Sequence, residues 1–204
     1  MNHFDQAAPS WDTNSVHWER SQAIAEIIQK DIPLNHSMKA LEFGAGTGIL
    51  SFMLKDVVEK ITMMDNSSEM VKVMKEKVLR EHAETLHPKL FDLEKVPFDE
   101  ETFDLIFTQM AMHHVADIKH IILQFYTLLN PGGYVAIADL YPEDGSFHGD
   151  GFTGHLGFNP VSMASLLTSC GFNLPKFKSC FVVKKQIAGG ETKDFPVFIL
   201  IAQK

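Results

Sequence analysis

The chain is poor in cysteine: Cys170 and Cys180 are the only two among 204 residues, too few for a disulfide framework. Two free thiols in a reducing compartment are the expectation. No apolar run approaches the ~18 residues of a membrane-spanning helix, so no stable membrane insertion is expected. The N-terminal Met-Asn-His-Phe-Asp-Gln lacks the basic-then-apolar order of a secretory signal, and a transit peptide is not evident. Together these absences point to a cytoplasmic protein. Positive charge is also short. Eighteen Lys and Arg against 26 Asp and Glu leave a formal net charge of −8, a balance with no long-range pull toward phosphate backbones or anionic lipid. Nucleic acid is therefore not an expected partner. Repeats, low-complexity tracts and long Pro/Gly/Ser linkers are missing too, and the length suits one domain over 1–204 with a full core.

What is present is an alternation of strand and helix patterns. Ser15–Lys30 reads as a helix, with Val16, Ala23, Ile24, Ile27 and Ile28 as its apolar stripe, stopped before Pro33. Met38–Phe43 is a buried strand, followed by a glycine turn and a helix over about Thr47–Val58. Lys60–Met64 is a second strand. Asn66 is the expected cap of the next helix, with Glu69 completing a capping box, and that helix runs to about His82. A weak strand near Lys89–Phe91 and a clear one at Phe103–Thr108 follow. The helix marked by Ile118, Ile121, Ile122, Phe125, Leu128 and Leu129 is closed by Asn130-Pro131-Gly132-Gly133, and Tyr134–Leu140 is the fifth strand. Asn159-Pro160 opens a last helix that Gly171 closes. Phe177–Lys184 and Phe195–Ala202 are joined by a loop too short for a parallel crossover, so they pair antiparallel. The expected fold is α/β: a Rossmann-like, doubly wound, mostly parallel seven-stranded sheet with helices on both faces and an antiparallel C-terminal edge hairpin.

The sharpest signal is Leu-Glu-Phe-Gly-Ala-Gly-Thr-Gly (41–48), a glycine turn between a strand and a helix. Glycines let backbone amides at a helix N-terminus approach a ligand closely. In such sheets an acidic residue about 20 positions after the glycines, at the end of the second strand, accepts from ribose hydroxyls, and Asp65 stands there. The pattern Gly44-x-Gly46-x-Gly48 puts Ile49 where a dinucleotide turn needs its third glycine. An NAD(P)-dependent oxidoreductase, which would also need room for a substrate domain, is thereby disfavoured. A third possibility is a protein that binds the cofactor without catalysis.

With Met-Asp-Asn-Ser (64–67), Phe-Asp-Leu (91–93), Thr-Phe-Asp-Leu-Ile-Phe-Thr-Gln-Met-Ala-Met-His-His-Val (102–115) and Leu-Leu-Asn-Pro-Gly-Gly-Tyr (128–134), the chain resembles class I S-adenosylmethionine-dependent methyltransferases. Within them it is similar to the small-molecule branch that includes quinone-biosynthesis enzymes. The resemblance runs from about Phe4 to the C-terminus. It implies methyl transfer from S-adenosyl-L-methionine to a small-molecule acceptor, with S-adenosyl-L-homocysteine as product. Within a single domain it implies an N-terminal lid segment and helix (1–30), a cofactor-binding core (38–140) and an acceptor loop, helix and edge strands (141–204). It assigns Glu42 and the backbone of Gly44, Ala45, Gly46 and Gly48 to the methionine end, Asp65 to the ribose and Asn66 to the side of the adenine. Asp92 would take the adenine amino group, the Leu93 amide the ring, and Gln109 the amino-acid end. Asp92 can also be read as a plain turn aspartate. Trp11 stands where the family often has a lid tyrosine; Trp11 and Trp18 can equally be packing residues of the first helix.

Ten histidines are many for this length, and His113, His114, His120, His148 and His155 fall in or near loops after the fourth and fifth strands, where acceptor groups are expected. His113, His148 and His155 are the candidate catalytic bases, since an imidazole near neutral pKa can take a proton from an attacking hydroxyl, thiol or acidic carbon. Alternatively they only shape the pocket. No metal is expected: His113, His114, Asp117, His120, His148, Asp150 and His155 are suitable ligand types, but their spacing matches no standard motif. Thr108-Gln109-Met110-Ala111 occupies the place of the Pro-Pro-Tyr-type motif of adenine and glutamine amino-methyltransferases, which disfavours that class. A small, partly apolar acceptor beside Met110, Met112, Phe147 and Phe152 is the natural inference, although each of the four could be core. The acceptor's identity and the oligomeric state stay open.

Overall fold

The computed structural model describes residues 3–204, with only the backbone described for His3. Its strands are β1 Lys39–Phe43, β2 Lys60–Asp65, β3 Leu86–Leu90, β4 Phe103–Gln109, β5 Leu129–Leu140, β6 Asn173–Gln186 and β7 Thr192–Gln203. They form one sheet in the order β3-β2-β1-β4-β5-β7-β6. All pairs up to β4–β5 are parallel, and β7 joins antiparallel to both β5 and β6. The helices are α1 His3–Ala7, α2 Ser15–Asp31, α3 Ile49–Leu54, α4 Ser68–Glu81, α5 Ile118–Leu128 and α6 Pro160–Ser169. Among the described residues no helix is long and apolar enough to cross a membrane, and both cysteines are free thiols.

The central strands are buried on both faces, which is why they read as near-continuous apolar runs. Their side chains alternate between two cores. Ala40, Leu105, Phe107, Ala136, Ala138 and Ile199 face one core, with Ile24 and Ile28 of α2 and Leu50 and Leu54 of α3. Leu41, Ile106, Val135, Ile137, Phe198 and Leu200 face the other, with Ile121, Ile122 and Phe125 of α5 and Met163 and Leu167 of α6.

Local chemistry sets the helix ends. The Asn14 side chain accepts from the Val16 amide, Asp117 from the His120 amide, and Asn159 from those of Val161 and Ser162, with Pro160 at the first turn. Several boundaries differ from the sequence reading: β3 lies at Leu86–Leu90 rather than near Lys89–Phe91, α3 ends at Leu54 rather than about Val58, and β6 and β7 are longer at both ends. The cap of α4 is Ser67, not Asn66: its hydroxyl accepts from the Met70 amide at 3.2 Å, because the extended cap geometry falls one residue later. α3 begins only at Ile49, since Gly48, at φ +81°, is in the left-handed region. The Asn130–Gly133 stretch lies inside the bounds of β5, yet Leu129 pairs with Phe103 and Tyr134 with Leu105. The turn residues therefore form a bulge that the ladder skips.

Phe107, fully buried at the centre of the sheet, tests this core. Phe107→Ala should cost about 3–5 kcal/mol, read as a lowered urea midpoint at unchanged slope.

Candidate active site

β1 and β4 are neighbours whose onward connections run to opposite sides of the sheet. At such a switch point the loops leaving the carboxyl ends diverge and leave a crevice. Here the crevice is a cleft of about 430 Å3 lined by residues following β1, β2, β3 and β4, with parts of the N-terminal segment and of the loop after β5. Its floor is tight. Gly44 has φ +64°, and a Cβ there would lie 2.5 Å from the Cβ of Ala111 in the loop after β4. Only glycine allows that crossing. Next to Ala111, Met110 sits at φ +53°, a strained conformation for a non-glycine residue that is often found at functional sites.

Asp65, at the end of β2, faces the glycine turn. Its Oδ2 accepts from the Gly46 amide at 2.7 Å and its Oδ1 from the Ser67 amide at 2.8 Å. Burial pushes its carboxyl up, against backbone N–H bonds that pull it down. Each oxygen keeps a further lone pair for a ligand. Asn66, Asp92 and Leu93 line the same end of the cleft, with Phe91 beside them. Asp92 Oδ1 caps its own turn at the Glu94 amide, 3.2 Å away, while Oδ2 pairs with Lys95 at 2.7 Å. The turn role and a cleft position therefore coexist in this residue. At the opposite end Gln109 exchanges hydrogen bonds with buried Ser21 of α2.

The N-terminal segment closes over the cleft. Trp11 lines it, its ring tilted at 31° against that of His17 with centroids 4.3 Å apart. Asp12 ties the segment down, accepting from Thr47 Oγ1 at 2.5 Å and from the buried Lys77 ammonium at 2.8 Å. Trp18 instead staples α2 to the segment through Nε1 to the Asp12 carbonyl, 2.9 Å away.

Of the residues expected to touch a cofactor, Trp11, Gly44, Ala45, Gly46, Asp65, Asn66, Asp92, Leu93 and Gln109 line the cleft, while Glu42 and Gly48 do not. Gly48 faces inward, where a Cβ would meet Met63 Sδ at 2.9 Å. Glu42 lies beneath the turn with no exposed surface. One carboxyl oxygen accepts from Ser51 Oγ, the other has no hydrogen-bond partner, and burial pushes the acid up to about 8.

Among the histidines, His113 and His148 line the cleft together with His114. His155 does not. Its Nε2 bonds to the Val115 carbonyl at 3.0 Å and its amide to the His113 carbonyl at 2.8 Å, which pins the loop after β5 onto the loop after β4. His120 lies exposed on α5. Of the apolar acceptor candidates, Met110 and Phe147 line the cleft, Met112 is core, and Phe152 stacks on His148 at 3.8 Å.

Two buried charged residues at the cleft were missed by sequence reasoning, besides Glu94, Lys184 and Lys185 of its lining. Arg20 of α2 lines the cleft although it is only 6% exposed. Its Nε has no hydrogen-bond partner, and burial lowers its guanidinium to about 10 against the nearby negative charge of Asp139. Asp139, at the end of β5, is fully buried and holds His113 through Nδ1 at 2.6 Å. An arginine within a helical stripe and an aspartate ending an apolar strand carry no local motif. Only the placement of Asp139 at a carboxyl-terminal strand end could have flagged it.

A family model described as a methyltransferase domain matches residues 41–137, the stretch that builds this cleft from β1 to β5. Just under half of the chain is thereby similar to a methyltransferase domain. A methyltransferase of Schizosaccharomyces pombe is 31% identical over 153 residues, 67% of this chain and 54% of that protein. The demethylmenaquinone methyltransferase of Staphylococcus aureus is 28% identical over 126 residues, 60% of this chain and 51% of that protein. This chain therefore spans about half the length of these curated relatives. Among solved structures, a Haloferax volcanii methyltransferase crystallised with the Trm112 methyltransferase activator shares the fold at a TM-score of 0.78 and 16% identity. That match covers 100% of this chain and 98% of the other.

The buried acid under the methyltransferase glycine turn sets a pH dependence. Unfolded, Glu42 ionises near 4.5; folded, it holds its proton to about 8. Between those values the folded chain binds the extra proton, so stability falls as pH rises and levels off above about 8. Glu42→Gln should remove that component of the slope, measured by urea denaturation on either side of the window.

Proposed function

We propose that the protein transfers the methyl group of S-adenosylmethionine to a small-molecule acceptor, leaving S-adenosylhomocysteine. The observation that carries this reading is the glycine turn after β1 bonded to Asp65 at the end of the neighbouring β2, Gly46 N to Asp65 Oδ2 at 2.7 Å, inside a cleft of about 430 Å3. When bound, the cofactor supplies a methyl group on a positively charged sulfur. The chain's own groups fit the rest of the molecule. Asp65 accepts from the ribose hydroxyls, as paired hydroxyls require of a carboxylate. Asn66 and Leu93 bracket the flat base beside Phe91, with Asp92 placed for its amino group. The Gly44–Gly46 backbone and Gln109 face the amino-acid end. The unpaired, buried Nε of Arg20 is the group an α-carboxylate would satisfy, because a buried charge without a partner is costly.

Glu42 acts below this surface, supporting the turn through Ser51. In-line displacement gains chiefly from holding donor and acceptor together and aligned, and Trp11 over the cleft excludes water from that alignment. His113 and His148, with Met110 and Phe147 nearby, face the acceptor. One domain over 1–204 serves all of this, 1–30 as lid and first helix, 38–140 as cofactor core, 141–204 as acceptor loop, helix and edge strands. Two free thiols, one of them Cys180 pushed up to about 12 by burial, support a cytoplasmic place of action. A dinucleotide reading gains nothing from the structure, since Ile49 packs into the core at the third-glycine position.

Calorimetry should show micromolar-range binding of S-adenosylhomocysteine. Asp65→Ala and Arg20→Met should each weaken it about 10–100-fold, the scale of a lost hydrogen bond to a charged group. Absence of any binding heat with the folded wild-type chain would sink the reading. Wild-type affinity in Arg20→Met would remove only the carboxylate assignment.

A further inference from the structure

The histidines at the acceptor end are 113, 114 and 148, and distance along the chain hid what the fold does with them. One ligating atom from each lies within 4.8 Å of the others, and their ring centroids are 4.2, 4.9 and 5.3 Å apart. We propose that His113, His114 and His148 form a binding site for one divalent transition-metal ion at the acceptor end of the cleft.

Four features carry this. The set has three nitrogen ligands and faces a cleft, the pattern of a catalytic ion with an open position. Tetrahedral bonds of about 2.0–2.1 Å put ligand nitrogens roughly 3.4 Å apart, and the three ligating atoms already lie within 4.8 Å of one another. His113 is oriented as a ligand should be. Asp139, an acceptor when ionised, takes the Nδ1 proton at 2.6 Å while also accepting the His113 and Leu140 amides. The opposite nitrogen, Nε2, is thereby left with its lone pair, which is the carboxylate–histidine support typical of metal sites. His148 is also held in place. Its ring stacks on Phe152 at 3.8 Å and 10°, and its loop is tied by Glu143 Oε2 to the amides of Gly145 and Phe147 at 2.7 and 3.1 Å. An all-imidazole set favours zinc, iron, cobalt or nickel over magnesium or calcium, which want oxygen.

The ion's use rests on the methyltransferase reading. The open position takes an acceptor bearing an ionisable hydroxyl or thiol, whose proton goes to water. The oxygen or sulfur lone pair then forms the new bond to the methyl carbon, and the breaking carbon–sulfur bond leaves its electron pair on the donor's sulfur. An ion lowers the pKa of what it binds, so the histidines serve as ligands rather than as the base themselves.

The test uses the untagged, chelator-treated full chain titrated with cobalt(II), followed by visible absorption and by calorimetry. The expected result is one cobalt per chain. Binding should be lost in His148→Ala, weakened about 10–100-fold in Asp139→Asn, and unchanged in His120→Ala. S-adenosylhomocysteine calorimetry on every variant checks folding and keeps the two readings apart. Cofactor binding without stoichiometric cobalt, or cobalt binding indifferent to His148→Ala, overturns the ion and leaves the methyltransferase reading standing. Cobalt bound with no S-adenosylhomocysteine binding keeps the site and removes its assigned use.

Discussion

The structure turns on the close crossing of two loops at the ends of β1 and β4. With Gly44 at φ +64° and only 2.5 Å available to a Cβ beside Ala111, the turn after β1 passes directly against the loop after β4. That crossing aims the amides of the glycine turn at Asp65 and drives Met110 into a left-handed conformation. Because Met110 still donates its amide to the Ala138 carbonyl at 2.8 Å, the strain is held by β5 rather than relieved. The next residues then turn tightly through Met112–His114. Cofactor end and acceptor end are thus set by one steric contact.

The histidine end of the cleft is built by convergence of two strand ends and one loop. β4 supplies His113 and His114, β5 supplies Asp139, and the long loop after β5 brings His148 back over them. That loop is fastened by backbone and side chains together. Gly154 passes so near the His113 carbonyl that a Cβ would sit 2.3 Å from it, and His155 bonds both to that carbonyl and to the Val115 carbonyl. His155 is therefore a positioning group, although in the sequence it resembles its neighbours at 113 and 148.

Much of the fold was legible in the sequence because strand burial and helix caps are local. The Asn159 cap, the glycine turn and the antiparallel hairpin follow from residue types at short spacing, whereas the Asn14 and Asp117 caps passed without notice. The Asn66-for-Ser67 exchange shows the limit, since both residues can cap and only backbone geometry chooses. In the cofactor half of the cleft, Asp65 is announced by its distance from the glycines. Glu42 misled for a physical reason: its carboxyl is on the strand, under the turn, where alternation sends it to the core. Arg20 and the histidine cluster were not legible, because their partners lie across the sheet and no spacing encodes them.

Burial of charge separates the site from the scaffold. The sheet's cores are apolar, while the buried ionisable groups Arg20, Glu42, Lys77, His113 and Asp139 all stand around the cleft or its lid. A buried ion is destabilising unless paired and hydrogen-bonded, and these are satisfied unequally. Lys77 reaches Asp12 and the Thr47 carbonyl at 2.8 and 2.9 Å, so the N-terminal segment and the glycine turn are locked by one ammonium. Asp139 accepts from two amides and an imidazole. Arg20 Nε and Glu42 Oε1 alone of this group keep buried polar atoms without hydrogen bonds. Stability alone would replace both with apolar residues. Glu42 escapes most of the penalty by staying protonated, a route closed to a guanidinium, so the unmet requirement of the cleft concentrates at Arg20. A guanidinium nitrogen buried without a hydrogen bond stays costly until something completes it, so an anion reaching Arg20 would relieve that cost.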